Sequence, residues 1–334
     1  MKHYSKNLSE KFQIFLKLDT VSKLKKILKI LGVKYIVYNI LYLFLSKLVK
    51  SKIYFIKGIV FDSLKHINEL IIIKTDFNEK FILFANDNII SKEMFINKKF
   101  DLEKFEKALK FINQKKKIKT IYDIGANIGV ICIPAVKRGL VENAFAVEPE
   151  KKNFELLKLN ISLNNLDSKI ISYNYALSNK DDAIVKMELA PDNSGDHRIK
   201  NEVNFNIHGE EEREIVEVKT KKFDSLFKNI DSLNDLIWID TQGFEPIILS
   251  GAKNLIESKA TIVIEFWPYA LKRSGLWEQM IEIIKKFDYF VDLSNQNLVS
   301  QKINEKTILA LIDGWENEEK GQYSLHTDLI LLKE

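Results

Sequence analysis

The chain has one cysteine among 334 residues, so an internal disulfide and a cysteine-rich metal site are both excluded. That residue, Cys132, sits among Val130, Ile131 and Ile133, where a thiol is expected to serve as a small buried hydrophobe. Histidine is scarce too, and His3, His66, His208 and His326 show no tight spacing of the kind a zinc site needs. Long apolar runs are missing. The best one, from Ile30 to Val49, is interrupted by Gly32, Lys34, Asn39 and Lys47, leaving less than the roughly 20 residues of a membrane span. It also begins too late, and without a small-residue cleavage pattern, to read as a secretory leader. No internal repeat or low-complexity tract is present. Neither sign of charge dominates: 51 basic against 46 acidic side chains leave +5, spread along a lysine-rich chain, so no nucleic-acid footprint is expected. These absences point to a protein stabilised by an ordinary core in a reducing, cytoplasmic setting.

What is present divides into three stretches. Residues 1–51 are basic and helical in pattern, with Lys23, Lys25, Lys26, Lys29, Lys34, Lys47 and Lys50. Such a segment either docks on the rest of the chain or a twin subunit, or lies on the inner face of a membrane. Residues 52–117 form a small accessory region. Its short β-like runs are Ile53 to Phe61, Glu69 to Lys74 and Lys80 to Phe84, and an amphipathic helix over Leu102 to Asn113 follows. From residue 118 to 334, near-continuous apolar strands alternate with helices, which implies an α/β fold with a doubly wound, mostly parallel, Rossmann-like sheet.

The third stretch is organised around Thr120 to Glu150. An apolar run ends at Asp123 and breaks at Gly125; a helix opens near Gly129, and a second apolar run ends at Glu148. A glycine turn lets the backbone approach a ligand, and an acid at the tip of the next strand can accept hydrogen bonds from both ribose hydroxyls. A nucleoside site is therefore expected, without indication of which nucleoside. The plainer alternatives are a helix cap for Asp123 and a surface carboxylate for Glu148.

Several stretches together resemble the FkbM-type methyltransferases, class I enzymes that use S-adenosylmethionine. They are Asp123-Ile-Gly-Ala-Asn-Ile-Gly129, Glu148-Pro-Glu150 with Asn153 and Leu156-Leu157, Ala176-Leu177-Ser178, and Trp238-Ile-Asp-Thr-Gln-Gly-Phe-Glu245 followed by Gly251-Ala252. The resemblance implies a seven-stranded sheet whose last strand is antiparallel. It places Asp123 and the turn Gly125, Ala126, Asn127 and Gly129 beside the methionine part of the cofactor, Glu148 on the ribose, and Tyr175 and Ala176 beside the adenine. It also implies a small-molecule or glycan acceptor methylated on a sugar hydroxyl.

A hydroxyl acceptor needs its proton removed or a metal to acidify it. Asp240, at the open end of a buried strand, and Glu245, five residues on, could supply a base or hold Mg2+; helix capping is the plainer role for both. His197, in the polar loop Pro191 to Arg198, is a further base candidate because its ordinary pKa lies near neutrality. Asn193 of that loop would orient a ligand or simply make a turn. Glu265 and Trp267 could line an acceptor pocket. Two other functions share some of these features. A nicotinamide oxidoreductase would show a third glycine where Ala126-Asn127 stands, and a membrane-apposed binding module would keep the fold without turnover. A homo-oligomer is left open.

Overall fold

The computed structural model describes residues 54–201, 207, 209–315 and 324–334, together with Leu43 and Lys47. The expectations for the basic segment 1–51 therefore lie outside the described residues, those two apart. Among the described residues no helix is long and apolar enough to cross a membrane. The chain divides into two compact units, residues 1–66 and 67–334.

In the first unit, α1 (Tyr54–Leu64) is a helix where the sequence suggested a strand. Its buried Gly58 and Phe61 are three residues apart, a helical spacing. A short apolar run does not by itself separate strand from helix.

The second unit opens with a hairpin of β1 (Leu70–Lys74) and β2 (Lys80–Phe84). The helices α2 (Ile90–Asn97) and α3 (Leu102–Ile112) follow. Then come β3 (Thr120–Ile124), α4 (Cys132–Lys137), β4 (Asn143–Val147), α5 (Lys151–Leu163) and β5 (Ile170–Tyr173). The free edge of β2 is closed by side chains: Asn160 of α5 bonds both backbone groups of Ile82, and Asn164 those of Lys80. These amides replace a missing strand, since buried backbone groups must find partners.

The chain then leaves the main sheet. A separate four-stranded sheet has the order β6 (Ala176–Ser178), β9 (Glu214–Lys222), β7 (Ile184–Leu189), β8 (Arg198–Ile199). After α6 (Phe223–Leu226) the main sheet resumes with β10 (Asp235–Ile239), α7 (Glu245–Ser250), α8 (Lys253–Glu257) and β11 (Thr261–Phe266). It closes with α9 (Pro268–Arg273), α10 (Trp277–Ile284), β12 (Tyr289–Asp292), β13 (Gln301–Lys302), α11 (Glu305–Trp315) and β14 (Thr327–Leu332). The two helices α7 and α8 are parted at Gly251. A Cβ there would stand 2.2 Å from the carbonyl oxygen of Ser178, so the bare glycine lets the helix meet β6.

The main sheet has eight strands in the order β13-β12-β14-β11-β10-β3-β4-β5. The expected parallel core and antiparallel last strand are present: β14 runs antiparallel to both β11 and β12. The expected count of seven is corrected by the two-residue edge strand β13, too short to signal itself in the sequence. Every residue of β10 and of β11 is buried, as expected of strands covered on both faces. Chain order reverses between β3 and β10, whose residues pair in register up to Ile124 and Ile239. That is the switch point at which open α/β sheets leave a crevice.

Candidate functional site

At this switch point Gly125 has φ +90°, and a Cβ on it would lie 1.9 Å from the carbonyl oxygen of Asp240. The turn can follow the tip of β10 only because no side chain intervenes. Asn127, at φ 50°, turns the chain again, and asparagine tolerates this left-handed geometry better than most residues. Its N–H donates to Glu148 Oε2 at 2.9 Å, while the Glu150 N–H donates to Oε1 at 2.8 Å. The Glu148 carboxylate thus ties the glycine turn to the end of β4.

A cavity of about 920 Å³ opens over these groups. Asp123, Gly125, Ala126, Asn127, Glu148, Tyr175 and Ala176 all line it, as do Asp240, Glu265, Trp267 and His197. Gly129 does not. A Cβ there would meet Ile133 Cδ1 at 2.6 Å and Leu157 Cδ1 at 2.9 Å, so this glycine serves the packing of α4 and α5 and not the cavity. Asp123 combines the two roles considered for it: it faces the cavity, and its Oδ2 accepts from the Cys132 N–H at the start of α4. Burial pushes the Asp123 carboxyl up to about 6. Burial also pushes Glu148 up to about 8, outweighing the two backbone donors that favour its charged form.

The far end of the cavity is built from strand tips. Asp240 follows β10, Glu265 lies on β11, and Asp328 on β14 is the register partner of Glu265. The Gln242 amide donates to Asp240 Oδ1 at 2.7 Å and to both oxygens of Glu265 at 3.1 and 3.2 Å. Lys104, from α3, places its Nζ 2.8 Å from Asp328 Oδ2. Burial raises the Asp240 carboxyl, Lys104 partly offsetting it. Burial, and then the charges of Asp240, Glu245 and Asp328, push Glu265 well above the usual carboxylate range. Trp238 and Trp267 supply aromatic wall, and His326 lies beside Trp267 at 6.0 Å between ring centroids.

Two candidate catalytic side chains have partners that the sequence did not indicate. Glu245 is not among the lining residues; its Oε1 accepts from the Thr241 N–H at 2.7 Å and the Thr241 hydroxyl at 2.9 Å, fastening the turn before α7. Its acid character follows from helix-start geometry, the plainer role. His197 accepts the Ala190 N–H on Nδ1 at 3.1 Å, and burial lowers its pKa to about 4. A neutral ring whose Nδ1 is so engaged carries its proton on Nε2. Asn193 makes the turn, its Oδ1 accepting from the Gly195 N–H. No group of three or more His, Cys, Asp or Glu among the described residues could hold a metal ion, so nothing supports the Mg2+ expectation.

The loop over residues 190–198 forms one wall of the cavity and is held by Ser194. The Ser194 hydroxyl donates to Asp87 Oδ2 at 2.5 Å, and its carbonyl accepts from Asn127 Nδ2 at 2.8 Å and Asn153 Nδ2 at 3.3 Å. Asp87 also receives the Ile89 and Ile90 N–H groups at the start of α2. Lys104 and Asp87 carry no sequence motif; Ser194 lies in the polar loop 191–198 and Gln242 within the stretch Trp238–Glu245, neither with a signal of its own.

The family described as methyltransferase FkbM domain matches residues 123–291. No curated protein matches the chain. Among solved structures, an FkbM methyltransferase from Methylobacillus flagellatus KT is similar at 14% identity over 64% of this chain, with a TM-score of 0.37. The chain spans 43% of that structure. TYW2 of M. jannaschii, in complex with AdoMet, is similar at 12% identity over 79% of this chain and 85% of its own, TM-score 0.38. A structure named StiE O-MT, residues 961–1257, is similar at 13% identity over 69% and 72%, TM-score 0.37.

Proposed function

Because the chain belongs to the FkbM methyltransferase family, we propose that the crevice holds S-adenosylmethionine and that the enzyme methylates a hydroxyl of a sugar in a glycan, lipid-linked saccharide or glycosylated metabolite. One observation carries this reading: a single cavity runs from Glu148 and Tyr175, past the bare backbone of Gly125, to Asp240 and Glu265. Donor and acceptor ends are thereby continuous. The residues fit the donor, since Glu148 keeps lone pairs for two ribose hydroxyls after its two backbone bonds, and Gly125 leaves room for a sulfonium chain. When bound, S-adenosylmethionine supplies an activated methyl group.

The chain's own residues would do the rest. The walls align the acceptor oxygen in line with the leaving sulfur, the step in which most of such a barrier is removed. Asp240 Oδ1 is held by Gln242, while Oδ2 receives no hydrogen bond among the described residues. That oxygen takes the acceptor's proton as the O–C bond forms. The raised Asp240 carboxyl makes it a better base than an exposed aspartate. His197 Nε2–H is a donor for a further acceptor oxygen. Trp238 and Trp267, beside carboxylates, suit a sugar ring with one apolar face.

The test uses purified protein, calorimetry with S-adenosylmethionine, and label transfer from its methyl group to saccharide acceptors. Asp240→Asn is expected to lower turnover by roughly 10²–10⁴ while leaving cofactor affinity nearly unchanged. An equal loss of both would assign Asp240 a structural role. Nothing in the chain favours the nicotinamide alternative.

A further inference from the structure

The acceptor end of the cavity gathers more acidic than basic side chains. Asp240 and Glu265 both line it, and they share one neutral donor, the Gln242 amide. Asp328 stands directly opposite Glu265 in the strand register, where like charges repel. Asp101, at the start of α3, also lines this end. The resident cation there is Lys104, and it is already committed, 2.8 Å from Asp328 and 3.5 Å from Asp101. Of the arginines that line the cavity, Arg198 pairs with Asp196 and Glu210 and lies over the Trp267 ring, 4.6 Å from its centroid, and Arg213 pairs with Asp196. His326 Nδ1 lies 3.0 Å from the Ser324 carbonyl oxygen, to which it can only donate. Among the described residues, the carboxyl groups of Asp240 and Glu265 are thus left without a dedicated counter-charge.

A group that brings its own positive charge would complete this arrangement. A neutral hydroxyl would not, because it supplies a donor but no charge. Glu265 is 4% exposed and spends both oxygens on a single amide nitrogen, leaving lone pairs free for a second donor.

Building on the methyl-transfer reading, we propose that the acceptor bears an ammonium group on the carbon next to the methylated hydroxyl, as an amino sugar does, and that Glu265 selects it. Asp240 faces the hydroxyl and takes its proton; Glu265 faces the ammonium. The Gln242 amide, bonded to both, ties the two carboxyl groups together. The S–C bond breaks and the O–C bond forms as in the parent reaction, so the ammonium takes no part in the electron balance.

The experiment titrates three probes into the full-length protein saturated with S-adenosylhomocysteine at neutral pH: glucosamine, N-acetylglucosamine and glucose. Glucosamine is expected to bind at least about tenfold more tightly than either neutral sugar, the size of one charge-assisted hydrogen bond. Glu265→Gln should abolish that gap. Lys104→Met, which removes the resident cation, should widen it, and this second variant decides the matter if the first fails to fold. Equal or weaker binding of glucosamine by the wild type overturns the proposal, as does a gap that survives Glu265→Gln or narrows in Lys104→Met. Failure of S-adenosylhomocysteine itself to bind would instead overturn the methyl-transfer reading, and this inference with it.

Discussion

Replacing Gly125 by alanine places a methyl group 1.9 Å from the carbonyl oxygen of Asp240 and 3.0 Å from its carbonyl carbon. Both are backbone atoms, so nothing flexible can give way. Relief to ordinary contact requires the tips of β3 and β10 to part by about 1.5 Å. That movement endangers the Asp240 N–H bond to Ile124, 3.0 Å long, and costs about 1 kcal/mol for that bond. Holding alanine at φ +90° costs about 1–2 kcal/mol more, and backbone displacement in a packed core about 1–3. The sum is roughly 3–6 kcal/mol, or a fall in Tm of roughly 6–24 °C for a domain of this size.

Gly129→Ala is the control. Its φ is +91°, but its added methyl meets the side chains of Ile133 and Leu157 and no backbone atom among its nearest neighbours, so about 1–2 kcal/mol is expected. Thermal unfolding followed by circular dichroism gives the stabilities, and calorimetry gives S-adenosylmethionine affinity. Gly125→Ala should lose both stability and affinity; Gly129→Ala should lose a little stability and keep affinity. Equal effects from the two substitutions would refute the assignment of one glycine to the cavity and the other to helix packing.

Two further outcomes are expected. The Glu148 carboxyl is raised to about 8 in the folded chain against an ordinary 4.5, so its contribution to stability is complete below pH 4.5 and lost as pH rises through 8. Urea unfolding at pH 5 and pH 8 should show this fall in the wild type and a smaller one in Glu148→Gln; identical slopes would refute it. Ser194→Ala removes the hydroxyl that reaches Asp87 Oδ2, a bond to a buried carboxylate worth about 1.5–3 kcal/mol. Amide exchange over residues 191–197 should accelerate while the strands of the main sheet stay protected, and unchanged exchange would show that the loop is fastened by other contacts.

The elements that were legible from residues alone share a cause. β2 and α3 fall where their residue patterns put them, because each pattern is apolar enough, or long enough, to fix its own period. The strand at 53–61 failed for the opposite reason: a short run of Ile, Tyr and Phe satisfies either period, and the chain is helical there. The donor end of the site was legible because glycine geometry and an acid at a strand tip are local requirements. The acceptor end was not. Lys104 and Asp328 are separated by 224 positions in the chain and meet only because α3 packs at the tip of β14, and no local pattern records such a meeting.

His197 and Glu245 show the same limit in another form. Their residue types suggested chemistry, but a ring nitrogen is taken up by the Ala190 N–H and a carboxylate by the turn before α7. The sequence by itself determined the alternation of strand and helix, the glycine bend at Gly125 and the acid at Glu148, since these depend on neighbours close in the chain. Tertiary structure alone decided which glycine faces the cavity, which acids share the Gln242 amide, and where Lys104 spends its charge. Burial and hydrogen bonding are set by whatever the fold brings near, and they govern whether a side chain can react.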